Sequence, residues 1–445
     1  MKSLETAAAL CALLTAAPVF AQHQDHGMGG MAMPAPVPAP GPAQHQGHGM
    51  AGMAIPAAEP AQPHAMTGAL GAYPASREAS GTAWQPDSSI HGGLHVMAGG
   101  WMLMAHANLN LVQDWQSGPR GADKAFVSGM IMGMARREAG LGTLQLRAML
   151  SPDPLMGRRG YPLLLAAGET ADGVTPLVDR QHPHDFLMEL SASYAVPLGS
   201  NASAFLYAGL PGEPAFGPPA FMHRMAIADS PEAPITHHWL DSTHITFGVV
   251  TAGLILGNVK LEASRFNGRE PDERRWNIET GPLDSTALRL SWNPTRNLSL
   301  QASWAHLISP EQLEPGENSN RWSASALWTR RLGADKWVSA TLAWGNRDGA
   351  EAVAAEAGLG VGLWTLYGRA EYAQNNELTF AGGHHGPIYD IGKVTVGAIR
   401  DVRIAPHLRL GLGAQVTQNF VPTALEPLYA GDPRGAMAFA RLKLE

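Results

Sequence analysis

Residues Trp101–Leu111 read Trp-Met-Leu-Met-Ala-His-Ala-Asn-Leu-Asn-Leu and alternate between two kinds of side chain. The odd-numbered positions are all apolar, whereas the even-numbered positions carry methionine, histidine or asparagine. Successive side chains of a β-strand point to opposite faces, so a period of two places all of these apolar groups on one side. The stretch therefore predicts a β-strand with one apolar face and one mixed face.

The same period of two returns along the rest of the chain, for about 9 to 12 residues at a time, which is the length of a tilted transmembrane strand. The clearest examples are Val259–Phe266, Leu298–Trp304, Trp364–Tyr372 and Leu408–Phe420. Turns are expected at Asn293-Pro294, Gly333-Ala334-Asp335 and Asn346–Gly349. We expect an all-β fold, an antiparallel transmembrane β-barrel of about 16 strands (range 12–16) between Leu94 and Glu445.

The alternative fold is a soluble β-sandwich of the periplasm. The side chains on the second face of the strands distinguish a membrane barrel from this alternative. Leu, Val, Ala and Trp occupy one face, and Ser, Thr, Gln, Arg, Lys and Glu occupy the other. This division suits lipid outside and a wet lumen inside. Tryptophans near the predicted strand ends suit an aromatic girdle at the membrane surface: Trp292, Trp304, Trp328, Trp344 and Trp364.

The first 21 residues have the pattern of a secretory signal peptide. Lys2 precedes an apolar run over Ala7–Ala17, and small residues surround the end of the segment at Ala21. The single cysteine, Cys11, lies inside this run, so the mature chain is expected to contain none. We therefore predict export to the cell envelope, with a signal peptide at 1–21, a disordered Met/His/Pro/Gly-rich tail at 22–90 and the barrel at 91–445.

The tail contains a repeated motif, His-Gln-x-His-Gly-Met-x-Gly-Met-Ala, which starts at His23 and again at His45. Thioethers suit Cu(I), and imidazole accepts either oxidation state of copper. The motif predicts a copper-binding tail, with Cu(I) favoured and Cu(II) open; binding of zinc or nickel and a passive linker are the alternatives. The proposed ligands are His23, His26, Met28, Met31, Met33, His45, His48, Met50 and Met53.

A second methionine group lies within the predicted barrel. Met102, Met104 and His106 share one face of a strand, and Met130, Met132 and Met134 share one face of the next. A hairpin would place the two faces side by side. This patch either contacts copper or simply packs the barrel interior, which is the commoner fate of methionine.

Histidines also gather in two long loops. His182 and His184 follow Asp179-Arg180-Gln181, and His237 and His238 follow a proline-rich stretch that ends at Pro234. Such residues either bind a metal or another ligand, or form a hydrogen-bonded network that folds over the barrel mouth. The His384-His385 pair is open to the same two interpretations, whereas His407 is expected to be a turn residue.

Several function classes are disfavoured by the sequence. Nucleophile-elbow, P-loop, zincin and dinucleotide-binding motifs are absent from it, so we do not expect an enzyme. The net charge of −7 and the scattered basic residues argue against nucleic acid.

The signal peptide, the HxxHGMxGM units and the following barrel resemble the copper-resistance B-type proteins of Gram-negative outer membranes. The resemblance in specific residues covers about Gln22 to Met66. It implies copper sequestration, export or resistance at the outer membrane, with the tail in the periplasm. Expected partners are outer-membrane lipid, copper ions and periplasmic copper proteins. The alternative is a porin-like channel or structural barrel in which the tail is a spacer or plug.

Overall fold

The computed structural model of the protein describes residues 66–90, 92–381 and 384–445. Nearly all of the regular structure in these ranges is β-strand. The strands are β1 (Leu94–Ala98), β2 (Trp101–Gln116), β3 (Asp123–Ala139), β4 (Gly142–Leu150), β5 (Tyr161–Thr170), β6 (Pro176–Gln181), β7 (Leu187–Pro197), β8 (Ala202–Gly209), β9 (Val249–Leu256), β10 (Val259–Phe266), β11 (Ser285–Thr295), β12 (Leu298–Leu307), β13 (Ser319–Arg331), β14 (Lys336–Arg347), β15 (Ala350–Val361), β16 (Trp364–Asn375), β17 (Phe380–Ala381), β18 (His384–His385), β19 (Tyr389–Ala405), β20 (Leu408–Phe420) and β21 (Arg434–Leu444).

Helical structure is confined to short turns in the loops. The α-helical turns are His237–Leu240 and Glu426–Tyr429, and the 3-10 turns are Ala75–Arg77, Asp153–Met156, Phe221–His223 and Ser242–His244. Within the part of the chain that the structure describes, no helix has the length and apolar character needed to cross a membrane.

Sixteen of the strands in the described ranges form one closed antiparallel sheet: β2–β4, β7–β16 and β19–β21. Each strand pairs with the next, and β21 returns to pair with β2 along Ala107–Gln116, which closes the ring. β1 folds back on the first residues of β2, Trp101–Ala105, where β21 does not reach. The predicted antiparallel barrel of about 16 strands is confirmed.

Several predicted strand bounds are also confirmed, and one predicted turn is wrong. β10 and β20 coincide with the two stretches of alternation quoted above, Val259–Phe266 and Leu408–Phe420. Asn293-Pro294 was predicted as a turn but lies inside β11, where the register shifts between Trp292 and Thr295. A bulge tolerates proline because the missing N–H is not needed in the ladder there. The chain reverses at residues 296–297 instead.

The two ends of the barrel differ in the length of their connections. One end carries tight turns such as 140–141, 257–258, 296–297, 362–363 and 406–407. The other carries long loops, among them 151–186, 210–248, 267–284 and 376–388. Outer-membrane barrels have short turns on the periplasmic side and long loops on the outside. We call these the short-turn end and the long-loop end.

The two faces of the wall follow the predicted division. Leu412 is 66% exposed and Trp364 is 50% exposed on the outer face. On the inner face, Lys260 and Glu262 are buried and form an ion pair of 3.2 Å, and Arg289 Nε donates to the same carboxylate at 3.0 Å. An apolar outer surface over a charged interior is the arrangement that lipid outside and a polar lumen require.

Residues 66–90, which we call the inner segment, lie inside the barrel. Lys260 contacts the carbonyl oxygen of Thr82, and Arg289 Nη2 donates to Thr82 Oγ1 at 2.9 Å. The rings of Tyr73 and Trp84 are buried and meet edge to face. This differs from the predicted disordered tail up to residue 90. The inner segment buries large apolar side chains, among them Leu70, Tyr73 and Trp84, and this burial favours its folding.

The long loops 151–186 and 210–248 also fold into the lumen. Arg224, at the centre of the second loop, is fully buried and pairs with Glu356 of β15 at 2.7 Å. Glu232 of the same loop pairs with Lys393 of β19 at 2.5 Å. Loop 210–248 therefore reaches the opposite strands β15 and β19 through buried ion pairs.

Candidate metal-binding chamber

Three long loops meet inside the barrel around a small cavity of about 20 Å³. Loop 151–186 contributes His182 and His184, and loop 210–248 contributes His237, His238 and His244. Loop 267–284 contributes Glu270 and Arg275. We call the cavity and its five histidines the histidine chamber. Its volume is enough for about one water-sized species.

The imidazole rings of the chamber lie close together. The ring centres of His184 and His244 are 5.1 Å apart, those of His237 and His244 are 5.0 Å apart, and those of His237 and His238 are 5.5 Å apart. His182 joins the group at 5.8 Å from His238. The sequence-predicted histidines His182, His184, His237 and His238 are thus brought together, and His244 is an additional member that the sequence analysis did not select.

Three of these rings are oriented through Nδ1. His184 Nδ1 lies 2.8 Å from Asp153 Oδ2, and His237 Nδ1 lies 2.8 Å from Asp241 Oδ1. His244 Nδ1 donates to the carbonyl oxygen of Asp241 at 2.8 Å. A proton on Nδ1, held by an oxygen acceptor, leaves the Nε2 lone pair available, which is the usual second-shell arrangement of a metal-binding histidine.

The remaining nitrogens are left for a ligand. Nε2 of His184 and Nε2 of His244 are buried and make no hydrogen bond within the described residues. The two side chains are 8% and 7% exposed, so water reaches them poorly. A buried polar atom without a partner costs free energy, and an ion bound between these nitrogens would remove that cost.

Burial favours the neutral form of three chamber histidines, His182, His238 and His244. It lowers the pKa of His244 and of His182 well below the usual value, and it lowers the pKa of His238 to about 3. The positive charge of Arg275 acts on His182 in the same direction. Neutral imidazole is the form that binds metal ions, so the surroundings of these three rings favour the metal-binding form.

The opposite side of the chamber is acidic. His182 Nε2 lies 3.1 Å from Glu169 Oε1, and Arg275 links Glu169 to Asp185. Burial raises the pKa of Glu169 and of Glu270 to about 7, and that of Asp185 to about 6. Glu169 thus occupies Nε2 of His182, whereas Nε2 of His184 and Nε2 of His244 have no hydrogen-bond partner within the described residues.

Within the described ranges, one group of Glu and His side chains has the spacing of metal ligands, and it lies outside the chamber. Ligand atoms of Glu311, Glu314 and His385 all lie within 4.8 Å of one another, at the long-loop end. These side chains are part-exposed and already paired, with His385 Nε2 3.2 Å from Glu314 Oε1. The chamber nitrogens are spaced more widely than this group, so they must move together to reach the metal–nitrogen distance of about 2.1 Å.

The predicted methionine patch is formed on the inner face of β2 and β3. Met104 is directly opposite Met134, and His106 is opposite Met132. Met102 is opposite Arg136 rather than a methionine. The hairpin predicted from the sequence is therefore confirmed.

The patch continues into a cluster of buried side chains. Met130 packs with Met149 of β4 and Met188 of β7, and Met132 lies against the same cluster. Met149 and Met188 were missed in the sequence because they are single methionines on separate strands, and only the pairing of β3, β4 and β7 brings them together. We call Met104, Met134, Met132, Met130, Met149 and Met188 the thioether row.

Other predicted residues have simpler positions. His407 has a φ of 61° in the turn between β19 and β20, with Nδ1 3.0 Å from the carbonyl oxygen of Glu445, as expected of a turn residue. The predicted tail ligands between His23 and Met53 and the predicted signal peptide lie outside the described residues.

Comparison with known proteins gives structural similarity only. No family and no curated protein match the chain. Outer-membrane OmpT of Vibrio cholerae is similar in structure at 8% identity, with a TM-score of 0.43, over 79% of this chain and 100% of that chain. A mutant of the Rh. blastica porin has 12% identity and a TM-score of 0.37 over 77% of this chain and 100% of its own. A porin refined at 1.8 Å has 12% identity and a TM-score of 0.42 with the same coverage, 77% and 100%.

These similarities concern the fold alone. The closed ring of strands rests on the chain's own pairing, from β2 through to β21. The chain is a closed antiparallel β-barrel with 16 wall strands in its described ranges. The function of the histidine chamber therefore depends on the chemistry of its own side chains.

Proposed function

We propose that this protein is an outer-membrane barrel that binds copper and contributes to copper sequestration, export or resistance. One observation carries the proposal: His184 and His244 present buried Nε2 atoms without hydrogen-bond partners in the described structure, while their Nδ1 atoms are held by acceptors. This is the arrangement of a binding site rather than of a catalytic one.

The surrounding side chains favour copper over harder metals. Imidazole suits copper, zinc and nickel, whereas thioether sulfur selects Cu(I). Ile245, which lines the chamber, packs against the cluster that contains Met149 and Met188. Copper is the ion that both ligand types share, and the His/Met repeats between His23 and Met53 add the same two ligands.

The cellular setting follows from the wall. Exposed leucines and half-exposed tryptophans on the outer face suit contact with outer-membrane lipid. The inner segment begins at the short-turn end, where Arg136 contacts the carbonyl oxygen of Thr67. We propose that the short turns face the periplasm, as in other outer-membrane barrels, and that the tail acts in the same compartment, with periplasmic copper proteins as partners.

A second candidate is a porin-like or structural barrel in which the inner segment and the loops form a plug. Buried ion pairs such as Arg224 with Glu356 join loop 210–248 to the wall. They favour this second candidate because they hold the loop in place whether or not the lumen binds a metal. This candidate predicts no copper bound in the lumen.

Copper titration of the full-length protein in detergent separates the two. Cu(I), kept reduced with ascorbate and buffered by a competing chelator, is added to the wild type and to a His184→Ala/His244→Ala double variant. We expect the variant to bind at least one ion fewer per chain. His407→Ala, at the opposite end of the barrel, is the matched control and should bind as the wild type does. Equal binding by the wild type and the double variant would refute the chamber as a copper site.

A further inference from the structure

The thioether row begins near the short-turn end of β2 and ends beside the long loops that follow β4 and precede β7. Met104 lies four residues into β2, just after the turn at 99–100, and so belongs to the short-turn end. Met149 and Met188 lie at the far ends of β4 and β7, next to the long loops. The row therefore follows the inner face of the wall over the adjacent strands β2, β3, β4 and β7.

The steps along the row are short. Met104 and Met134 are directly paired across strands, and so are Met132 and Met149. Directly opposed residues have Cα atoms about 4.5–5.5 Å apart, and residues two apart on one strand face are separated by about 6.7 Å. A methionine side chain with three rotatable bonds spans such gaps, so an ion held by one sulfur is within reach of the next.

The methionines at the short-turn end of the row, together with His106, form a set of metal ligands by themselves. His106 is opposite Met132, and Met104 is opposite Met134, so the four side chains form a two-by-two patch on the inner face. Three thioethers and one imidazole are ligands of a soft, monovalent ion such as Cu(I). None of the three thioethers needs to lose a proton to become a ligand.

The methionines at the long-loop end of the row, Met149 and Met188, lie next to the histidine chamber. Met188 is completely buried and packs with Ile245 and Phe247 in the cluster that also includes Met149. Ile245 follows His244 in the chain and lines the chamber itself. Met222 packs on the same cluster, and its neighbour Phe221 meets the ring of His237 at 6.0 Å between centres.

We propose that the thioether row is a Cu(I) relay that connects the short-turn end of the lumen with the histidine chamber. The proposal rests on the proposed function, since it needs the chamber to hold copper. Each step along the row is a ligand exchange in which one copper–sulfur bond forms as another breaks. At the chamber, a copper–nitrogen bond forms as the last copper–sulfur bond breaks. Copper stays Cu(I) throughout, and no proton or electron is transferred.

The first test changes the row and leaves the chamber intact. Met104→Leu/Met132→Leu/Met134→Leu removes three thioethers and keeps side chains of similar size, which cores tolerate best. The full-length variant is titrated with Cu(I) beside the wild type. We expect it to lose at least one bound ion per chain while the ion assigned to the chamber remains. Met437→Leu changes a buried inward methionine outside the row and is the matched control.

The second test measures the rate at which the chamber fills. Trp239 is buried beside His238, so quenching of its fluorescence reports copper in the chamber, and the part of the signal lost in Trp239→Phe identifies it. After rapid mixing with Cu(I), the row variant should fill the chamber at least tenfold more slowly than the wild type, to the same final level. Filling at the wild-type rate, or unchanged stoichiometry, would overturn the relay.

The two proposals fail differently. If the wild type shows no copper that depends on His184 and His244, the proposed function fails whatever the row does. If the chamber binds copper but the row variant matches both the wild type and Met437→Leu, only the relay fails. The unaltered tail is present in every variant, so its own methionines cancel from the comparison.

Discussion

The wall and the filling of this barrel are stabilised in different ways. The wall is a continuous antiparallel ladder whose exposed leucines, such as Leu342 and Leu412, face outward. The filling consists of the inner segment and the long loops, and it is attached to the wall by buried charges such as Arg224 and Glu232. Substitutions in the filling should therefore disturb the chamber and leave the wall folded. Substitutions in the wall should destabilise the barrel and leave the chamber intact.

The largest expected effect comes from Arg224→Met. Arg224 pairs with Glu356 and with Asp241, at 2.7 Å each, and its side chain has no exposure. Removing it leaves two buried carboxylates unpaired, which costs about 3–5 kcal/mol for a broken buried pair. We expect loop 210–248 to lose protection in hydrogen exchange and the chamber to lose copper, while the strands stay protected. Arg274→Met, whose side chain is 70% exposed, should change neither.

Leu342→Arg tests the wall. Leu342 is 53% exposed near the middle of β14, and a charge at the bilayer midplane of a barrel costs about 2–4 kcal/mol. We expect a lower yield of heat-modifiable, folded barrel in lipid vesicles, with unchanged copper affinity in the folded fraction. Val361→Arg, at the short-turn end of β15, should cost only about 0–1 kcal/mol. Weakened copper binding in folded Leu342→Arg would contradict the separation of wall and filling.

Asp241→Asn sharpens the comparison inside the filling. Burial would raise the pKa of Asp241, but Arg224 and His237 outweigh it and hold the pKa below its usual value, so the residue is a carboxylate. Its Oδ1 orients His237, and replacing such a partner typically costs 10–100-fold in metal affinity. We expect that loss for the chamber ion and none for the thioether row. Equal weakening at both sites would mean that the substitution acts on the whole lumen.

The smallest effect is a pH dependence of the inner segment. Burial raises the pKa of Glu213 to about 8, and Glu213 packs against Gly81. A raised carboxyl pKa contributes stability that is fully present below the usual value of 4.5 and is lost as the pH rises towards 8. Protection of residues 66–90 in hydrogen exchange, corrected for intrinsic rates, should fall gradually between pH 5 and pH 8. Glu213→Gln should flatten this dependence, and a persisting slope would assign it to another group.

Much of the wall could be predicted from the sequence because alternate residues of a wall strand face outward or into the lumen. Apolar and polar side chains therefore alternate along the strand. Leu261 and Lys260 are neighbours in the chain, yet one is 57% exposed and the other fully buried. The hairpin that pairs Met104 with Met134 could be predicted for the same reason. Asn293-Pro294 was predicted wrongly because a proline marks a bulge as readily as a turn.

The filling was harder to predict. His184 and His244 are 60 residues apart in the numbering, and their contact depends on how two loops cross the lumen. The inner segment contains Tyr73 and Trp84 within a stretch whose overall composition is that of a linker. Its order comes from wall residues such as Lys260 and Arg289, which no local pattern connects to it.

The most direct test of a copper-binding chamber is to locate the metal. Crystals of the full-length protein grown with copper would be measured at energies on both sides of the copper absorption edge. We predict an anomalous peak between Nε2 of His184 and Nε2 of His244, with the two imidazoles drawn together to about 2.1 Å from the ion. Copper at Glu311, Glu314 and His385 with an empty chamber would contradict this account.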